Sequence, residues 1–212
     1  MPGEEVETMK SKKQISIQTI AIMGVMTALV FASNYIQITI PVAMGPITRI
    51  HVANGICLLA ALLFGGFKGG IAAGVGSFLY DLTSPVFAPI SWITLITKFL
   101  LAFICGVIVY LGTNRDSAPP PVWRKLIGAV VGALSYVAMY CVQMYYLINL
   151  NFFKKDDFEV LTAKEVWAGI FATNLPASLF NAAIGITIAV LLHSALRPAL
   201  ERAKLREKFD VR

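Results

Sequence analysis

The stretch from Pro46 to Leu82, PITRIHVANGICLLAALLFGGFKGGIAAGVGSFLYDL, constrains the fold of this chain more than any other segment. Two apolar runs, Asn54–Phe64 and Gly69–Leu82, are separated only by Gly65, Gly66, Phe67 and Lys68. Each is shorter than the ~20 residues that cross a bilayer as a helix, and the break between them is glycine-rich. The reading is a tight helical hairpin, with two half-spanning helices as the alternative. Arg49, His51 and Asn54 stand directly before the hairpin. Polar side chains beside membrane-length apolar sequence are costly, and they serve a site more often than a core.

The rest of the chain fits the same solvent. It is 57% hydrophobic and 14% charged, with mean hydropathy +0.72, which no soluble domain of 212 residues ordinarily shows. Four further apolar segments run Ile17–Tyr35, Ser91–Leu111, Lys125–Leu147 and Glu165–His193. The fold class expected is therefore an all-α integral membrane protein of six transmembrane helices. Residues 1–14 form a tail, 15–195 one six-helix bundle and 196–212 a basic tail that reads as a basic helix at the inner membrane surface or, equally, as a solvated helix end. The N-terminus lacks a small-residue cleavage site before the first apolar run, so that run is expected to be retained.

Lysine and arginine set the direction. With the N-terminus inside, 13 of the 18 basic residues fall on the inner side, 4 (Arg49, Lys154, Lys155, Lys164) fall outside, and Lys98 sits within a span. Both termini are thus expected in the cytoplasm. The net charge of +6 lies in loops and tails, which favours a membrane topology signal over nucleic-acid binding. The connector TNRDSAPPPVW is polar and proline-rich and reads as a cytoplasmic loop, and NLNFFKKDDFEVLTAK reads as an external one.

Polar groups converge at one depth. At 1.5 Å per residue, Lys98 lies about 10 Å from the outer end of the fourth helix, Gln143 roughly 7 Å into the fifth and Asn174 roughly 13 Å into the sixth. Tyr136, Tyr140 and Gln143 share one helix face, as do Asn174, Ser178 and Asn181, with Pro176 loosening the backbone between them. Thr94 and Lys98 share a third. The candidate substrate-binding set is Arg49, His51, Asn54, Asp81, Thr94, Lys98, Tyr140, Gln143, Asn174 and Asn181. An aromatic face with amide and cationic ends suits a planar polar heterocycle. Plainer readings compete: Lys98 snorkelling or paired with Asp81, His51 as a loop hydrogen-bonder, and the asparagines as interhelical glue. Tyr145, Tyr146, Trp92 and Trp167 read as interfacial belt residues.

The first helix carries Ala21, Gly24, Ala28 and Ala32, a line of small residues that admits another helix at close range, either from this chain or from a partner. Cys57, Cys105 and Cys141 each lie in an apolar run, without a CxxC spacing, so neither a disulfide framework nor a metal site is expected. The glycines after Phe64 are not a phosphate loop, because no GKS or GKT follows. Catalytic constellations are missing as well: there is no HExxH or GxSxG, and His51 and His193 are placed on opposite sides. An enzyme is not expected, nor is a cofactor.

GPITRIHVANGICLLAALLFGGFKGGIAAGVGSFLYDL and PISWITLITKFLLAFICG, with six spans and a small-residue face on the first helix, resemble the substrate-binding S component of an energy-coupling factor (ECF) vitamin transporter. The likeness runs from about Gln14 to His193 and is to the riboflavin-type branch. It implies a subunit of a prokaryotic plasma membrane that takes a vitamin or precursor from outside and has no ATPase of its own. Such a subunit docks on a transmembrane coupling protein with two ATP-binding-cassette ATPases. By the same resemblance, Ala21, Gly24, Ala28 and Ala32 meet the coupling protein, although Gly24 and Val25 depart from a strict AxxxA pattern. The loop from about Gln37 to Val52 caps the ligand, and Lys98, Gln143, Asn174 and Asn181 contact it. Delivery would proceed by rigid-body toppling in the bilayer. Riboflavin, a pyridoxine-like or pyrimidine precursor, and a deazapurine all suit such a pocket. The alternative is a stand-alone secondary transporter, for which internal repeats would be expected and are not evident.

Overall fold

The computed structural model describes residues 17–40, 48–112, 120–149 and 162–202. The N-terminal tail, most of the two long loops and the end of the basic tail lie outside the described residues. The architecture is helical. In chain order come α1 (Ile17–Ser33), β1 (Gln37–Ile40), β2 (Thr48–His51), α2 (Ala53–Leu82), a 3-10 turn (Ala88–Ile90), α3 (Ser91–Tyr110), α4 (Val122–Asn149), α5 (Ala163–Gly169), a π turn (Ile170–Asn174) and α6 (Leu175–Arg202). Among the described residues, four helical stretches are long and apolar enough to cross a membrane: Ala53–Leu82, Ala88–Tyr110, Val122–Ile148 and Ala163–Leu196. α1, at 17 residues, is shorter.

α2 doubles back on itself. Gly65 adopts φ 77° and ψ −178°, a conformation that L side chains rarely reach. A Cβ on Gly69 would fall 2.7 Å from Ala61 Cα, and Cys57 Sγ lies 3.9 Å from Ser77 Oγ. A straight helix would hold that last pair roughly 30 Å apart. The expected hairpin is therefore present, with arms 53–64 and 66–82. Residues 53–62 are all buried, so the first arm is the core of the bundle. This accounts for an apolar run with no polar face: it is surrounded by protein on every side. Tyr110 Oη donates to Leu62 O and serves a carbonyl near the end of that arm.

Close backbone approach holds the neighbours in place. A methyl on Gly106 of α3 would fall 2.2 Å from Gly66 N and 2.4 Å from Gly66 Cα. The second arm and α3 thus meet backbone to backbone, the arrangement small residues permit in membranes. Gly106→Ala is expected to lower stability by about 1–3 kcal/mol, since the clash is with main chain and cannot be relieved by a rotamer change. Thermal unfolding in detergent measures this, and an unchanged Tm would mean the helices separate freely.

Two features depart from the sequence reading. The segment after α1 contains an antiparallel strand pair, with Gln37 opposite His51 and Thr39 opposite Arg49. The last span is not one regular helix: Leu175 N–H reaches back to Ile170 O across the π turn. Pro176 has no N–H to offer and its ring crowds the preceding turn, which favours such a local rewinding. The span opens on a capping box, with Thr162 and Glu165 serving each other's backbone N–H. At the far end of α3, Arg124 donates from Nε to Ile108 O at 3.1 Å and from Nη2 to Leu111 O, closing carbonyls that the helix leaves open. The three cysteines are buried and free.

Candidate functional site

A cavity of about 90 Å³ opens where β2, the end of α2, the turn carrying Phe87 and Ile90, α3, α4 and α6 meet. On that measure one water needs ~10–15 Å³, so there is room for several waters or a small ring. Eight of the ten candidate residues line it. β2 contributes Arg49 and His51, α2 contributes Asp81, α3 contributes Thr94 and Lys98, α4 contributes Tyr140 and Gln143, and α6 contributes Asn181.

The polar groups form linked pairs. Arg49 Nη1 lies 3.9 Å from Asp81 Oδ1, and its guanidinium sits 3.6 Å from the centroid of Phe87 and 5.7 Å from that of Tyr80. Thr94 Oγ1 donates to Asp81 Oδ2 at 2.5 Å. The acid is thus occupied by an arginine from the strand and a hydroxyl from α3. The alternative pairing of Lys98 with Asp81 is not the one formed: Lys98 Nζ donates to Asn54 Oδ1 and rests 4.2 Å from the centroid of Tyr136. Lys98 is only 3% exposed. Tyr136 and Tyr140 stack at 6.3 Å and 26°, extending the aromatic wall.

The strand pair is clasped from above the cavity. His51 N–H donates to Asn181 Oδ1 at 2.9 Å, and Asn181 Nδ2 donates to Arg49 O at 2.5 Å. One amide on α6 thereby satisfies two ladder groups on the free edge of β2, as a neighbouring strand would. Gln37 Nε2 donates to Tyr80 Oη at 2.7 Å and ties β1 to α2.

His51 Nδ1 is buried with no partner among the described residues. Burial, then the Lys98 and Arg49 cations, hold its imidazole well below the ordinary 6.5, so it is neutral at pH 7. The unfolded chain binds a proton through that histidine as pH falls past about 6.5 while the folded chain does not, so stability declines on acidification. His51→Gln is expected to flatten the dependence of Tm on pH between about 7.5 and 5.5. Equal slopes in the two proteins would sink this assignment.

Two candidates are not on the cavity wall. Asn54 stands behind it as the acceptor for Lys98. Asn174 is fully buried in the π turn, takes a 2.9 Å hydrogen bond from Thr173 Oγ1, and leaves Nδ2 without a partner among the described residues. The sequence reading also left lining residues out of its set. Tyr136 and Ser178 sit on the two faces it named, whereas Asn34, Phe87, Ile90, Thr97 and Met144 carried no signal beyond their neighbours in sequence. The small-residue line of α1 points outward: Ala21, Gly24, Ala28 and Ala32 are all exposed, and a Cβ on Gly24 would meet nothing within 4 Å. α1 instead packs inward through Met26 and Val30, with Val30 lying against Gly76. Tyr145 stacks on Trp167 at 4.7 Å and 16°, while Trp92 and Tyr146 are exposed.

Comparison with known proteins gives two findings. The family described as "ECF-type riboflavin transporter, S component" matches residues 14–198. Among solved structures, one described as the S component of a bacterial ECF transporter superposes with a TM-score of 0.60 at 17% identity, covering 86% of this chain and 97% of that one. At that identity the superposition speaks for the fold. No curated protein sequence matches.

Proposed function

Since the chain belongs to the ECF-type riboflavin transporter S component family, and is with its apolar helices a multi-pass membrane protein, we propose that it is the high-affinity substrate-binding subunit of an ECF-type importer. The ligand is a vitamin or related small heterocycle: riboflavin, a pyridoxine-like or pyrimidine precursor, or a deazapurine. One observation carries the reading. Side chains from β2, α2, α3, α4 and α6 converge on a single cavity, and the strand pair over it is fastened by one α6 amide. A core built for stability alone would fill such a space with apolar side chains. Concave sites with a few placed polar groups on an aromatic wall are what small-molecule binding requires.

The arms of α2 would each count as a crossing, giving six with both termini in the cytoplasm of a prokaryotic cell. The cavity then opens outward. The exposed α1 line is the surface on which a transmembrane coupling protein, with its two ATPases, would seat. Loaded protein would topple in the bilayer to deliver its ligand inward.

The test has two parts. The chain is purified in detergent and denatured, and what it releases is read by mass spectrometry and absorbance; a stoichiometric heterocycle is expected. Uptake in cells is then measured with and without the ATPase module. Uptake that persists without the ATPases, driven by a proton or sodium gradient, would replace this reading with that of a secondary transporter.

A further inference from the structure

A buried polar atom without a partner calls for a physical reason, since nearly all such atoms in folded proteins have one. Among the described residues there are two on side chains, His51 Nδ1 and Asn174 Nδ2. Asn174 is off the cavity wall, enclosed in the π turn, whereas His51 is on it. The neighbouring donors are engaged elsewhere. Lys98 Nζ donates to Asn54 Oδ1 and lies over the Tyr136 ring, and the Arg49 guanidinium lies over Phe87 and faces Asp81. The Asn181 amide meets the main chain of His51 and Arg49, not the imidazole. The wall's charges, by contrast, are answered: Asp81 stands 3.9 Å from Arg49 and interacts through space with Lys98. What the wall lacks is a partner for a neutral ring nitrogen.

That nitrogen is an acceptor. A neutral imidazole has one N–H to place and one lone pair. An unpaired N–H is rarer in a protein interior than an unpaired acceptor. The Lys98 and Arg49 cations near the ring also favour a lone pair over a proton where nothing takes that proton. We infer that His51 Nδ1 accepts a hydrogen bond from a ring N–H of the ligand, so that the site selects a neutral heterocycle with an N–H on its rim. The inference rests on the reading of the chain as a binding subunit and adds to it the side chain that reads the ring. Other acceptors on the wall are in use: Asp81 takes the Thr94 hydroxyl and faces Arg49, and Asn181 Oδ1 takes the His51 N–H. His51 belongs to β2, the one strand on the wall, and a small movement of that strand brings the imidazole onto the ligand.

The experiment uses the full chain in detergent and two matched pairs: riboflavin with 3-methylriboflavin, and uracil with 1,3-dimethyluracil. Within each pair the ring N–H groups that one member offers are methylated in the other. Affinity is read by titration, with thermal shift beside it. Wild type is expected to bind the N–H form about tenfold or more tighter than the methylated form in at least one pair. His51→Phe keeps a flat ring without the acceptor, and should bind the N–H form more weakly and the two forms alike. A merely structural histidine would weaken both forms equally and leave their ratio unchanged. His51→Asn, whose amide oxygen reaches the position of Nδ1, should keep the preference, and His51→Gln, whose amide lies further out, should lose it. Equal binding within both pairs by wild type overturns the inference, as does a preference that survives His51→Phe, or no binding of either N–H form at millimolar concentration. Should His51→Phe fail to fold, the other two variants decide, and a preference kept by His51→Gln or lost by His51→Asn overturns it. Tight binding of a ring without N–H would end this inference and leave the binding-subunit reading standing; that reading fails separately, on uptake that needs no ATPase.

Discussion

Ala28→Trp is expected to abolish ATP-dependent uptake by the assembled transporter while changing ligand affinity by less than about twofold, because the two surfaces are separate and share no partners. Ala28 lies in the exposed line with Ala21, Gly24 and Ala32, on the side of α1 opposite Met26 and Val30. In the free subunit the large ring has room, as the empty space around a Cβ on Gly24 indicates, so folding and cavity should be untouched. In the complex the ring would stand where a partner helix needs close backbone approach, and small-residue interfaces in membranes do not tolerate that bulk. Co-purification with the coupling protein and its ATPases is the direct readout, with uptake beside it. If Ala28→Trp still co-purifies and transports, the coupling partner seats elsewhere.

How far the site could be read in advance follows from what each sequence signal encodes. Helix rise gives depth, which set Lys98, Gln143 and Asn174 in the outer half of the membrane, and of these Lys98 and Gln143 line the cavity. It does not give the rotation of one helix against its neighbours. Asn174 has a suitable depth yet faces into the π turn, and Asn54 serves Lys98 from the rear. The glycines around Lys68 signalled a reversal because only a few residues, among them Gly65 with its positive φ, had to make the turn. The strand pair gave no such sign. QITI and TRIH are four residues each, too short for a period-two pattern to stand out from a capping loop. For α1, spacing revealed the small-residue line but not which way it points; that depends on Val30 packing against Gly76, a contact between elements far apart in sequence. The pairing of Arg49 with Asp81, in place of Lys98 with Asp81, likewise depends on where β2 crosses the bundle. The same dependence gave Asn181 a role at the strand that its helix position alone did not suggest.

Asn181→Ala is expected to speed ligand release by about tenfold to a hundredfold, with little change in the association rate. Two hydrogen bonds run from this amide to β2, one accepted from His51 N–H and one donated to Arg49 O. Removing them leaves two backbone groups unpaired at a partly buried edge, a cost of roughly 1–3 kcal/mol to the closed strand pair, which corresponds to the stated range in rate. The strand also carries Arg49 and His51, so loosening it withdraws two lining residues at once. Asn181→Asp separates the halves of the clasp: it keeps an acceptor for His51 N–H, loses the donor to Arg49 O, and should fall between wild type and alanine. Ligand exchange followed by stopped flow distinguishes the clasp from a direct ligand contact. A clasp acts on release, through the lifetime of the closed strand pair. If release from Asn181→Ala matches wild type, the strand pair is held by other contacts, with the Gln37–Tyr80 hydrogen bond and the Arg49–Asp81 pair next to examine.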